Sequence, residues 1–252
     1  MPNYASLNNL LQYGQGLGAQ IEGQPYNLYR VTNLTPAGGI LSGLPLYTNV
    51  PVVMRKAAKT VIEGESFSIL TMNGMCDNRQ MQLGDVLVEQ NSVENAYYAV
   101  AQMRPLMPTL FVRCEQTCII QRPIAEGGAF AQMPQSGSIF QSNYGGTTDA
   151  SSTYVMCTNG VFTYADDEAN AASFPIGLTP TQRIKSMRKP DFVNQLPDQQ
   201  YIAYIPYIPG LGIAEADNLL LSNGQQFEIV QMYDSEGTGL SGYICIVNEV
   251  KA

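Results

Sequence analysis

The sequence predicts a mainly β protein: two related small β-barrel or sandwich units, one or two short helices, and a long irregular arm or linker. Three observations carry this. Short apolar runs alternate with polar residues at period two, the mark of half-buried strands. Turn-forming pairs such as Asn73-Gly74, Asn159-Gly160 and Asn223-Gly224 punctuate them. One pattern also occurs twice. The first copy reads Gly84-Asp85-Val86-Leu87, then Tyr98-Ala99-Val100-Ala101-Gln102-Met103, then Phe111-Val112-Arg113-Cys114. The second reads Ala216-Asp217-Asn218-Leu219, then Phe227-Glu228-Ile229-Val230-Gln231-Met232, then Tyr243-Ile244-Cys245. Order and character match while the gaps differ, which fits divergent barrels rather than a solenoid. Asp85 and Asp217 read as turn formers that bond their own backbone, and Tyr98 and Phe227 as matching core anchors.

In chain order, Asn3 caps a predicted helix with Leu7, Leu10 and Leu11 at helical spacing, and Gly14 ends it. Gln15-Gly16-Leu17-Gly18 then reads as a hinge, since no strand precedes it as a phosphate loop requires. Strands are predicted at residues 26–31, 51–55 and 67–70, with a Pro- and Gly-rich loop over 33–51 and a turn at Asn73-Gly74. The first copy of the repeat supplies a strand at 86–88, a polar tip at 89–96 and a return strand at 98–101. A long β segment follows at 110–122.

Residues 123–153 change character. Gly127-Gly128, Pro134, Ser136-Gly137-Ser138 and Gly145-Gly146 break any pattern, so a linker or extended arm is expected. Phe130, Ile139, Phe140 and Tyr144 are isolated apolar anchors within it, suited to a neighbouring subunit or to the same chain. A hairpin is expected across Thr158-Asn159-Gly160. The acidic run Asp166-Asp167-Glu168 lacks the alternating spacing of a calcium loop. Thr179-Pro180 reads as a helix start, with Ile184 and Met187 on one face and Pro190 as the stop. Arg183, Lys185, Arg188 and Lys189 crowd that helix, where they offset its dipole or meet phosphate or an acidic partner. Residues 201–207 lead into the second copy, with turns at Asn223-Gly224 and Gly237-Thr238-Gly239. Over 243–247, Ile244 and Ile246 face one way and Tyr243, Cys245 and Val247 the other, so both faces are expected to be buried. The expected units are 1–122 with a leading helix, 123–173 as a linker with a hairpin, and 174–252 with a short basic helix.

Composition narrows the chemistry. The chain has 252 residues, 45% hydrophobic but only 13% charged, so Asn, Gln, Ser and Thr must supply much of the polar surface. A net charge of −8 argues against free, sequence-independent nucleic-acid binding, which needs many cations on phosphates. With no histidine, neither a Ser-His-Asp nor a Cys-His centre can be built within this chain. Without tryptophan there is no Trp-lined sugar platform. Five scattered cysteines suit reduced thiols better than a disulfide frame. Cys114 and Cys118, read on one strand, lie too far apart to chelate one metal. No cofactor or metal is expected. Met1 to Asn9 lacks a secretion signal, and no apolar run reaches membrane-spanning length, so no membrane partner is expected. The carboxylate pairs Asp166/Glu168 and Asp234/Glu236 have no supporting motif for glycoside chemistry.

The repeat, with its Gly-Asp or Ala-Asp turn, short strand, polar tip and aromatic-x-Val return, resembles the small β-barrels of tailed-bacteriophage virion proteins. Leu83-Gly84-Asp85, Tyr98-Ala99-Val100, Pro105-Leu106-Met107-Pro108 and Arg113 carry the resemblance within the stretch Met81 to Pro123, as does Tyr26 to Arg30 with its Pro-rich loop. The resemblance implies a non-enzymatic head-to-tail junction component: an adaptor, a stopper or another neck or tail part. It implies a homo-oligomeric ring that binds portal, adaptor or tail proteins and passes packaged DNA without reading it. The virion is then its location, after synthesis in host cytoplasm. A tail-fibre or baseplate-type attachment protein is the alternative, for which 15 tyrosines would suit a recognition surface. The expected contact residues are Phe130, Phe140, Tyr144, Arg183, Lys185, Arg188 and Lys189.

Overall fold

The computed structural model describes residues 4–30, 44–56, 71–90, 96–103, 107–123, 152–158, 161–166, 168–180, 200–233 and 240–250. They form one helix and two closed six-stranded antiparallel barrels. Helix α1 spans Tyr4–Glu22. The first barrel is built from β1 (Gln24–Tyr29), β2 (Tyr47–Lys56), β3 (Thr71–Met75), β4 (Val86–Glu89), β5 (Tyr97–Gln102) and β6 (Thr109–Cys114). They close in the order β1-β2-β3-β6-β5-β4.

The second barrel uses β7 (Gln116–Pro123), β10 (Ser173–Pro180), β11 (Gln200–Pro206), β12 (Asn218–Leu221), β13 (Gln226–Tyr233) and β14 (Gly242–Glu249). They run β7-β10-β11-β14-β13-β12, closed by the pairing of β10 with β7. Substituting β7, β10, β11, β12, β13 and β14 for β1 to β6 turns one order into the other. The remaining strands, β8 (Ser152–Thr158) and β9 (Val161–Ala165), form a hairpin that runs alongside the far end of β7.

The duplication extends to single residues. In β1–β4, Tyr29 pairs with Val86; in β7–β12, Gln121 pairs with Asn218. Gln24 opposite Val52 corresponds to Gln116 opposite Ile176, which makes Pro51 and Pro175 equivalent. The register of β5 on β6 shifts between Val100 and Gln102, and that of β13 on β14 between Ile229 and Gln231. Both barrels therefore bulge at one equivalent position, Ala101 and Val230, which bends the strand and strengthens its twist. Tyr98 and Phe227 are equivalent in this register, as are Gln102-Met103 and Gln231-Met232. The third block of the sequence pattern is corrected: Val100 lies opposite Phe111 and Ile229 opposite Val247, so Phe111 corresponds to Val247 and not to Tyr243.

Three further expectations change. The long β segment at 110–122 is two strands, and only Glu115 separates β6 from β7. The two units thus meet at Glu115, while the described part of 123–173 lies inside the second unit, between β7 and β10. Thr179 and Pro180 are strand residues, and the helix expected beyond them lies outside the described residues. Both residues end β10, opposite Ile202 and Tyr201, where a proline at the strand terminus leaves the ladder intact. Asn73-Gly74 is not a turn but lies within β3. A Cβ on Gly74 would sit 2.2 Å from the Phe111 ring, so the glycine makes room for a large side chain. Residues 67–70 and 237–239 lie outside the described residues.

Helix α1 also runs past its expected stop at Gly14, through the supposed hinge at residues 15–18. Each glycine in a helix interior costs about 1 kcal/mol relative to alanine. Tertiary contact accounts for the continuation at Gly16, where a Cβ would lie 3.0 Å from that of Asp77. The helix ends at Gly23, whose N–H donates to the Ala19 carbonyl at 2.7 Å.

The core has three parts. One fills the second barrel around Ile120, Phe174, Ile205, Leu219, Phe227 and Val247. A second fills the first barrel around Leu28, Val52, Leu87, Val100 and Phe111. The third is a seam between the barrels: Ala99, Ala101, Val112 and Cys114 meet Ile202, Tyr204, Leu240 and Ile244. The two buried faces expected of residues 243–247 are thus a barrel interior, taking Cys245 and Val247, and this seam, taking Ile244.

Candidate functional site

The most elaborate polar arrangement among the described residues occurs twice, once per barrel. At the end of β1, Arg30 Nε donates to Asp85 Oδ1 at 2.8 Å, and Nη2 donates to Oδ2 at 2.7 Å and to the Gln80 carbonyl at 2.9 Å. Near the end of β7, Arg122 Nε donates to Asp217 Oδ1 at 2.7 Å, and Nη2 donates to Oδ2 at 2.8 Å and to the Gly212 carbonyl at 2.7 Å. Each carboxylate also accepts from the backbone N–H three residues earlier, Gln82 at 2.8 Å and Ala214 at 2.9 Å. The aspartates are buried, while their arginines keep a partly exposed edge.

Local backbone sets each clasp. Asp85 N–H donates to the Gln82 carbonyl and Asp217 N–H to the Ala214 carbonyl, closing the same tight turn. The residue before each aspartate takes a positive φ, 86° at Gly84 and 71° at Ala216. Each aspartate carbonyl then accepts from the return strand, from Val100 N–H at 2.8 Å and Ile229 N–H at 2.9 Å. The turn role expected of Asp85 and Asp217 is present. The arginines were not visible as partners in the sequence, since they lie 55 and 95 positions away.

The second clasp is elaborated by the inserted hairpin. Arg122 stacks on the Tyr164 ring at 4.3 Å from its centroid, and Tyr164 Oη donates to the Gly212 carbonyl at 2.7 Å. The first clasp instead abuts the other barrel: a Cβ on Gly84 would fall 1.8 Å from the Tyr207 carbonyl oxygen.

Chemically, these are fasteners. A bidentate guanidinium occupies both oxygens of each carboxylate, so neither is free to accept a substrate proton. The hydrogen bonds to Asp85 and Asp217 raise the already high pKa values of Arg30 and Arg122 further. The five cysteines are buried free thiols. Burial pushes Cys76 and Cys245 up to about 12, and raises Cys114 and Cys118 as well, which suppresses the nucleophilic thiolate. Cys114 lies in the seam and Cys118 inside the second barrel, on different strands. Among the described residues no group of three or more His, Cys, Asp or Glu side chains is placed to hold a metal ion. No described helix is long and apolar enough to cross a membrane. Glu168, from one of the carboxylate pairs, accepts from Tyr154 Oη at 3.1 Å. Asp234 and Glu236 lie outside the described residues, as do all the expected contact residues: Phe130, Phe140, Tyr144, Arg183, Lys185, Arg188 and Lys189.

Compared with family models, characterised proteins and solved structures, the chain finds no match.

Proposed function

We propose that the protein is a non-enzymatic structural component of a phage virion, one subunit of a ring at the head-to-tail junction or tail through which DNA passes. The observation that carries this reading is the tandem of two barrels with identical strand order, each pinned by the same Arg–Asp clasp and joined along an apolar seam. Fusing two copies of one rigid unit produces a stiff building block, and the ion pairs stiffen strand ends without offering a reactive group. A scaffold that must transmit load and keep its shape is served by this. The Asp turns that carry the resemblance to virion barrels are the centres of the clasps. In the proposed assembly the ring binds portal, adaptor or tail proteins, and its lumen contacts packaged DNA without sequence preference.

Mass spectrometry and low-resolution imaging of particles released from cells carrying the gene test this reading. The chain should co-purify with particles and map to the neck or tail axis. Its absence from particles would overturn the reading. The exposed rings of Tyr13 and Tyr207 favour a second, an attachment protein of the tail-fibre or baseplate type. Location at the distal tip would select it.

A further inference from the structure

Helix α1 turns the opposite face to the barrel from the one its sequence prepares. Asn8, Gln12, Gln15, Gly16 and Ala19 lie on the side packed against β2, β3 and the 3-10 turn Asn78–Gln80, and Gln12 is only 2% exposed. The amide oxygens of Gln12 and Gln15 are buried there with no hydrogen-bond partner. The apolar side chains point outward. Leu10 is 69% exposed and Ile21 84%, and Leu7, Leu11, Tyr13 and Leu17 are exposed with them. An amphipathic helix ordinarily buries its apolar stripe and leaves the polar face to water.

The stripe has a definite period. Leu7, Leu10, Gly14, Leu17 and Ile21 follow one another at alternating steps of three and four, the a and d positions of two heptads. A Cβ on Gly14 would meet nothing within 4 Å, so packing within the chain does not call for the glycine. A glycine midway along the stripe lets a second backbone approach closely.

We propose that this stripe is the contact face for helix α1 of a second copy of the chain, the seam of a homotypic helix pair or bundle. The heptad spacing specifies a helix as occupant. The exposed apolar side chains present roughly 600 Å² per chain, at the upper end of patches on free-standing monomers and near the per-partner area of an ordinary stable interface. The charge pattern specifies a like partner. Glu22 is the helix's one charged residue, so two copies meet without repulsion and no oppositely charged partner is called for. A helix lying on a membrane would carry Lys or Arg on its polar face, and this one carries none. The proposal is separate from the virion reading, which requires a ring but does not say which surface builds it.

Sedimentation velocity of the full chain across the micromolar range is the first test. Wild type should sediment as a dimer or larger species, and Leu10→Ser/Leu17→Ser as a monomer, its association weakened at least tenfold. Both side chains are solvent-exposed in the single chain, so the double variant should keep the wild-type urea midpoint at dilutions where both are monomeric. Gly14→Cys supplies a contact-specific readout. Position 14 lies at the middle of the stripe and faces its counterpart in parallel or antiparallel pairing. This variant should form a disulfide-linked dimer on mild oxidation, whereas Asn9→Cys, off the stripe, should not. Wild type that stays monomeric and a Gly14→Cys chain that cross-links no faster than the Asn9→Cys control would overturn the proposal. So would a monomeric wild type whose stability drops on losing the two leucines, since they would then pack within the chain. Monomeric wild type that binds phosphatidylcholine or phosphatidylserine vesicles through the same leucines would overturn it too.

Discussion

Replacing Asp217 by Asn separates the two roles this residue plays. Its carboxylate, 1% exposed, accepts three hydrogen bonds: two from Arg122, at 2.7 and 2.8 Å, and one from the Ala214 N–H at 2.9 Å. Asn keeps an oxygen for Ala214 and so preserves the turn. It presents an NH2 group where Arg122 needs an acceptor, and it removes the charge. Breaking one side of a buried pair is worth about 3–5 kcal/mol. Arg122 is 27% exposed and retains the Gly212 carbonyl and the Tyr164 ring, so the penalty here is discounted to about 2–3 kcal/mol. Urea unfolding followed by far-ultraviolet circular dichroism at neutral pH measures it. Arg122→Met and the double variant complete a cycle, in which the double should lose less than the sum of the singles by about 1.5 kcal/mol or more. The equivalent Asp85→Asn should fall in the same range. An Asp217→Asn protein within about 0.5 kcal/mol of wild type would mean that the turn, not the ion pair, is what Asp217 contributes, and the fastener reading would be wrong.

Gly74→Ala should destabilise by about 1–3 kcal/mol through collision with Phe111, and adding Phe111→Val, which rebuilds the Ala203/Val247 pair of the second barrel, should relieve part of that loss; strictly additive urea midpoints would contradict it. Gly84→Ala should destabilise, since its Cβ would strike the Tyr207 carbonyl, while Ala216→Gly should be neutral or stabilising by up to about 1 kcal/mol, as it relieves a positive φ in a residue with a side chain; thermal unfolding checks the opposite signs. The thiols should react with Ellman's reagent only after denaturation, because all five are buried. Below the ordinary thiol pKa near 9.0 folded and unfolded chains both hold these protons, but above it the unfolded chain ionises first, so stability should fall as pH rises from about 9 towards 12; urea midpoints across that window should fall less steeply in Cys245→Ala.

How much of this could be read in the sequence follows from the range of each interaction. Asp85 and Asp217 stood out because their roles are local: a turn closed within three residues, next to a short apolar strand. Their arginines did not, because nothing near Arg30 or Arg122 says which carboxylate it will meet. The separations also differ, 55 residues in the first barrel and 95 in the second, forty more, so no common spacing could be found. That excess includes the β8–β9 hairpin, which stands between β7 and β10, the counterparts of β1 and β2. Thr179-Pro180 carries a capping signature for the related reason that such signatures are local, whereas the place of these two residues at the end of β10 is decided by β11 across the barrel. Helix α1 begins where its sequence predicts, but contacts with β2, β3 and the 3-10 turn carry it past Gly14, Gly16 and Gly18 to an end at Gly23.

The misaligned third block shows where likeness of residues stops being a guide to equivalence. Phe111 was matched to Tyr243 because both are aromatic, yet the pairing register makes its counterpart Val247. The missing volume is restored on the neighbouring strand. Gly74 in β3 leaves space that the Phe111 ring fills, and its counterpart in β11 is Ala203, which leaves less space and lies diagonally across from the smaller Val247 in the same core. All four residues lie on barrel interiors, where density rather than identity is preserved and a methyl on one strand can be exchanged for ring atoms on the next. Residues whose bonds are specific behave differently. Gln102 and Gln231 follow the bulge, and each Arg–Asp pair and each proline on β2 and β10 keeps its type and place. In two barrels whose sequences have diverged, equivalence is therefore carried by the backbone devices and the ion pairs, and core side chains align only after those have fixed the register.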